Sequence, residues 1–291
     1  MRIETPDLPR ALATLVAVFV LLVATTADAG PRWVSKDLPL SPSLAHRMAV
    51  VPLAPPSSEH PLGTVAIIGP DAAYAWDLEA RRFLSGRSLG ATNGQDTAVV
   101  AVRMDDEIFV LSGTTSETAG PSEIVLLTLS LDLAVRSRDV IGRGIMPSLA
   151  VSDRWIVAGA FEKHLAFHAI VLDRKTRAIV GGRVFQGQRL PSAGPQPDAA
   201  GMHAIVIRDE RAAFSLPGAA EALVVSTELP SLHTAAKALT PSNVREQARL
   251  PERSVVTEDG CGPLLQAWGH QVGLCGGKEG TNEPMRIRFR R

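Results

Sequence analysis

Acidic residues are the part of this sequence best suited to direct chemistry. Asp105-Asp106, Asp209-Glu210 and Glu258-Asp259 form adjacent pairs, and Asp153 stands in a comparable place. Two carboxylates facing each other across a glycosidic bond can serve as acid and as base or nucleophile, so such pairs raise the question of a hydrolase. Their setting argues for turns. Each follows one short apolar run and precedes another, where Asp bonds its own backbone and tolerates left-handed dihedrals. His164 and His168 have the spacing that places two imidazoles on one helix face for zinc. The run Leu165 to Leu172 reads as strand, however, and on a strand residues four apart are separated by about 13 Å. No metal site is expected there, and no residue is assigned a catalytic role. The sequence has no Gly-x-Ser-x-Gly elbow, and Gly181-Gly182 and Gly276-Gly277 lack the strand-to-helix context of phosphate loops. Four tryptophans and one tyrosine are a thin supply for a sugar platform or a base-stacking surface.

The elements that hold these residues recur. An apolar run begins at Met48, Thr97, Pro147, Met202 and Arg253, at intervals of 49, 50, 55 and 51 residues. The clearest unit runs from Asp96 to Gly142, with strands predicted from Thr97, Ile108, Ile124 and Val135 and turn residues between them. Several short strands in a period of about 50 indicate a β-propeller, because sandwich strands share no period at that scale. Val and Ile in short runs, punctuated by Gly, Pro, Asp and Ser, exclude a helical solenoid.

The turn between the third and fourth strands recurs as well. It reads Ala75-Trp-Asp77-Leu-Glu-Ala80, Leu131-Asp132-Leu-Ala134 and Leu172-Asp173-Arg-Lys-Thr176. Asp173 with Thr176, and Asp77 in part, make the chain resemble the blades of PQQ-like and WD-type propeller repeats over residues 48 to 240. The fold class expected is all-β, a propeller of about five four-stranded blades. Either Met285 to Arg290 or Trp33 to Ser35 is expected to complete the closing blade. The resemblance implies that the connections from each fourth strand to the next first strand gather at the channel. These are Gly90 to Asp96, Gly142 to Pro147, Gln186 to His203 and Thr240 to Arg253. Their polar residues are the ligand-binding candidates. Asn93, Gln95, Asp96 and Arg143 come from the first two connections, Arg189, Asp198 and His203 from the third, and Asn243, Arg245 and Arg249 from the fourth.

The ends of the chain indicate its compartment. Arg2 and Arg10 precede an apolar run from Ala11 to Ala24, and Ala27-Asp28-Ala29 provides small residues for cleavage, so residues 1–29 read as a secretory signal peptide. The run is shorter than the roughly 17 to 25 residues of a spanning helix, which disfavours the alternative of a retained anchor. Residues 30–47 form a proline-rich lead and residues 48–291 the propeller domain. Removing residues 1–29 leaves 28 basic against 27 acidic side chains, and near-neutrality offers no attraction for nucleic acid or an anionic membrane. Cys261 and Cys275, in an exported chain, are expected to form a disulfide.

The function expected is that of an exported, periplasmic or secreted, monomeric binding scaffold. It would be non-enzymatic, without a cofactor or a membrane span after cleavage, and would take a protein or carbohydrate partner. The alternatives are a glycoside hydrolase using channel carboxylates such as Asp96 and Asp198, and a propeller with a structural role alone.

Overall fold

The computed structural model describes residues 34–37, 48–90, 97–114, 121–162, 166–186, 205–216, 223–234, 265–268, 270–275 and 286–290. The described residues are all-β and include no helix. A short strand β1 (Val34–Asp37) precedes the first full meander, β2 (Ala49–Ala54), β3 (Thr64–Ile68), β4 (Ala72–Asp77) and β5 (Arg82–Ser88), whose strands pair in chain order. A seven-stranded sheet follows: β6 (Thr97–Met104), β7 (Glu107–Thr114), β8 (Ser122–Ser130), β9 (Val135–Val151), β10 (Trp155–Glu162), β11 (Ala166–Asp173) and β12 (Ile179–Gln186). Next come β13 (Ile205–Arg208), β14 (Arg211–Leu216), β15 (Leu223–Glu228) and β16 (His233–Thr234), again in order. The last sheet has the order β1, β19 (Arg286–Arg290), β18 (His270–Cys275), β17 (Leu265–Ala267).

The seven-stranded sheet is two meanders sharing one strand. From Val135 to Gly144, β9 is the outer partner of β8, and from Ile145 to Val151 it is the inner partner of β10. Gly142 to Pro147, expected as a loop at the channel, is therefore strand. Two features let the chain cross without leaving the ladder. Met146 takes a left-handed φ of 55°. Gly144 lacks the Cβ that would stand 2.7 Å from Ala160 Cβ and 2.9 Å from the Phe161 carbonyl oxygen.

Alternation along each strand explains the packing, because both faces of a middle strand are buried and so both sets of residues are apolar. On β7, Ile108 and Val110 face a core shared with the first meander, containing Val51, Ala66, Ile68 and Leu89. Phe109 and Leu111 face the opposite way, into a core with Ile156, Ala158 and Leu172 of the third. On β10 and β11, Trp155, Val157, Phe167 and Val171 reach a core with Phe214 and Leu232 of the fourth. Val65, Ile67 and Trp76 of the first meander pack with Val272, Leu274 and Ile287 of the last. The first strands follow suit: β2 lies beside β6, β6 beside β9, β9 beside β13, and β17 and β18 beside β2. Face-to-face packing of the first four meanders in succession, with the last against the first, is the propeller pattern.

The last sheet joins an early strand to late ones. Val34–Asp37 forms its outermost strand, paired with Arg286–Arg290 in the third position. The two segments expected to compete for one place thus occupy adjacent places. The apolar run from Arg253, expected as the first strand of this unit, lies outside the described residues.

Candidate functional site

In a meander, alternate connections fall at opposite ends of the sheet. One end holds the turns between first and second strands and between third and fourth strands, including the turns at Asp77, Asp105, Asp132, Asp153, Asp173 and Asp209. The other holds the turns between second and third strands and the connections from one meander to the next.

At the acidic end the turn residues behave as their types require. Met104 pairs with Glu107 and Arg208 with Arg211, leaving two-residue loops, and Asp105 and Asp209 each take a left-handed φ of 54°. Asp77 Oδ1 accepts from the Glu79 and Ala80 amides, both at 2.8 Å. Asp173 Oδ1 accepts from the Lys175 amide at 3.1 Å, the Thr176 amide at 2.8 Å and the Thr176 hydroxyl at 3.0 Å. Four residues after each Asp, Arg81 and Arg177 adopt left-handed φ. The Thr176 amide and hydroxyl hold the Asp173 carboxyl below its ordinary range. Burial alone raises the Asp77 carboxyl, but the Ala80 amide, His60 and the Glu79 amide outweigh it and hold it low.

These acids also bind across units. Arg174 Nη2 stands 2.7 Å from Asp105 Oδ2, and Arg177 Nη2 stands 3.1 Å from Glu107 Oε1. Within the second unit, Arg136 approaches Asp106 at 3.7 Å and Glu107 at 3.8 Å. Between the third and fourth units, Trp155 Nε1 donates to Glu210 Oε2 at 2.8 Å, and Arg154 lies 4.4 Å from the Trp155 ring centroid and 3.6 Å from Glu210 Oε1. The described acids at this end thus clamp turns and neighbouring units together.

His60 is the described side chain whose setting most resembles that of a general base. Its Nδ1 lies 2.6 Å from Asp77 Oδ2, its side chain is 28% exposed and that of Asp77 3%. A buried carboxylate holding one ring nitrogen orients the other for proton transfer. The nearby Ser57 hydroxyl oxygen accepts the His60 backbone amide at 3.1 Å, so Ser57 and His60 together brace the β2–β3 connection. Sequence spacing does not single out His60, because its partner lies 17 residues away at the end of β4. Glu107, Arg174 and Arg177 escape it likewise. A signal does exist in the repeat, since Arg81 and Arg177 fall at one position of the same turn.

At the opposite end, Arg143 is the ligand-binding candidate among the described residues. It lies on β9 opposite Glu123, is exposed, and its Nη2 donates to the Pro121 carbonyl at 3.2 Å. Asn93, Gln95, Asp96, Arg189, Asp198, His203, Asn243, Arg245 and Arg249 lie outside the described residues. So does His164, whereas His168 lies on β11 opposite Ala160 and Val184. Among the described residues no three His, Cys, Asp or Glu side chains gather as a metal site. Cys275 is buried on β18, and Cys261 lies outside the described residues.

No protein-family model and no curated protein matches the sequence. The solved structures it is similar to are WD40 and other propeller-type folds. The WD40 domain of SCAP from fission yeast is 11% identical, with 79% of this chain and 54% of that one covered at a TM-score of 0.36. A Bacteroides ovatus protein, xyloglucan PUL GH43B, is 10% identical, covering 83% and 50% at 0.43. A quinohemoprotein alcohol dehydrogenase from Pseudomonas putida is 12% identical, covering 83% and 40% at 0.43. The chain spans about half the length of these proteins or less, and the similarity concerns fold alone.

Proposed function

We propose that the chain is an exported, monomeric binding scaffold: a closed ring of five four-stranded units, cleaved after Ala29 and pinned near its C-terminus by a Cys261–Cys275 disulfide. It takes a protein or carbohydrate partner at the end where the units are joined. The observation that carries this reading is the division of labour between the two ends. Described charged side chains at the acidic end pair across units and hold the second, third and fourth units to one another. At the opposite end Arg143 is the described candidate, exposed on β9, and the remaining polar candidates are proposed to join it there. A glycoside hydrolase on this frame would need two carboxylates roughly 5 to 10 Å apart in a concave site at that same end.

A thermal-shift series on the purified protein, beside an Arg143→Ala/Arg245→Ala variant and an Asp209→Asn control, tests the proposal. Oligosaccharides and proteins of the exported fraction are the probes. A saturable shift lost in the double variant and kept in the control supports the scaffold; ligand at 100 times its Kd adds about 2.7 kcal/mol. Reducing sugar released from an oligosaccharide, and abolished by Asp96→Asn, would replace the scaffold with the hydrolase. Binding that survives the double variant and is lost in the control would move the partner to the acidic end.

A further inference from the structure

We propose that the interface between the second and third units contains an internal hydration site, in which ordered water joins Thr128, Ser137, Asp139 and Arg177. Register places these residues together. Phe109 on β7 pairs with Thr128 on β8, and Thr128 pairs with Ser137 on β9. Opposed residues of antiparallel strands point to the same side, so the three form one row across the sheet. The next row is Leu111, Leu126 and Asp139. Phe109, Leu111 and Leu126 belong to the core shared with the third unit, which fixes the face on which the polar members stand.

Arg177 arrives from that third unit. Its guanidinium carbon lies 4.6 Å from the Phe109 ring centroid, and its Nη2 is bonded to Glu107. Its Nη1 is buried without a partner, and so are Thr128 Oγ1, Ser137 Oγ and Asp139 Oδ2. Buried polar atoms without partners are rare, and four at one interface call for a common explanation. Adjacent strands are about 4.8 Å apart, a spacing that one water with two bonds of about 2.8 Å can bridge, and the roughly 7 Å between successive rows takes a chain of two waters. The donor balance also suits water. Arg177 Nη1 only donates, the ionised Asp139 oxygen only accepts, and each hydroxyl does both. Water accepts from the first, donates to the second and exchanges bonds with the hydroxyls. A buried water needs two to four such partners.

A crystal structure of the purified protein at a resolution that shows ordered water is the test. The expected result is density within about 2.6–3.2 Å of at least two of the four atoms. A direct Arg177–Asp139 ion pair, or a Thr128–Ser137 hydrogen bond with no density between the rows, would overturn the proposal. Thr128→Val and Ser137→Ala supply a second readout. Each is expected to lower the melting midpoint by about 2–4 °C, and the double variant by clearly less than the sum, because both lose one shared bridge. Additive losses, or a rise on filling the site with apolar groups, would mean that no water joins them.

Discussion

The Arg177 guanidinium stacks on the Phe109 ring from the neighbouring unit while its Nη2 holds Glu107 at 3.1 Å. One side chain therefore closes an interface through a ring face and a charge at once. Phe109 is fully buried and Glu107 largely so. Phe109→Ala is expected to cost about 3–5 kcal/mol by leaving a cavity. Glu107→Gln should cost about 1–3 kcal/mol, because Arg174 and Arg177 then face a neutral group. Denaturant unfolding measures both, and a Glu107/Arg177 double-mutant cycle should show a coupling above about 0.5 kcal/mol. A coupling near zero would make the pair incidental.

The Asp77–His60 contact predicts a pH dependence. The Asp77 carboxyl is held below its ordinary 3.8 by the Ala80 amide, His60 and the Glu79 amide, against the opposing effect of burial. A depressed carboxyl contributes stability that is present above its unfolded value and lost as pH falls through the folded one. The stability difference between the wild type and Asp77→Asn should therefore be constant near neutrality and shrink below about pH 4. In His60→Ala the Asp77 titration, followed by carboxyl NMR, should move up towards the ordinary value. An unmoved titration would show that the backbone amides alone set it.

Glycines at contacts between elements should respond unequally to a methyl group. A Cβ on Gly159 would stand 2.2 Å from Phe167 Cζ, and one on Gly181 would stand 2.0 Å from the Pro230 carbonyl oxygen. Nothing lies within 4 Å of the position at Gly142. Gly159→Ala and Gly181→Ala are expected to lose about 1–3 kcal/mol. Phe167→Leu, which withdraws the ring, should partly rescue the first, whereas the second meets backbone and should resist rescue. Gly142→Ala should change the midpoint of thermal unfolding little.

Pairing of Val34–Asp37 with Arg286–Arg290 makes the start of the chain part of its last sheet. A chain beginning at Leu38 leaves β19 with an open edge, an invitation to edge-to-edge association. Compared with one beginning at Gly30, it is expected to melt lower and to show larger species in size-exclusion chromatography. Equal melting and a monomeric profile would mean that the outermost strand is dispensable.

The repeat of about 50 residues, the strand character of each run and the Asp turns were all legible in the sequence, because period-two burial and Asx chemistry act within a few residues. Asp105-Asp106 and Asp209-Glu210 were rightly read as turns for the same reason, whereas Glu258-Asp259 lies outside the described residues. At Gly142 to Pro147 local reading failed. Glycine and proline there look like a loop, yet the ladders on both sides keep the chain extended as a strand of 17 residues. Partners were beyond its reach as well. Arg177 meets Glu107 across 70 residues, and the first described strand joins the last. A residue type specifies what bonds a side chain can make. Which bonds it does make depends on the faces that stacking brings together, and only the tertiary structure decides that.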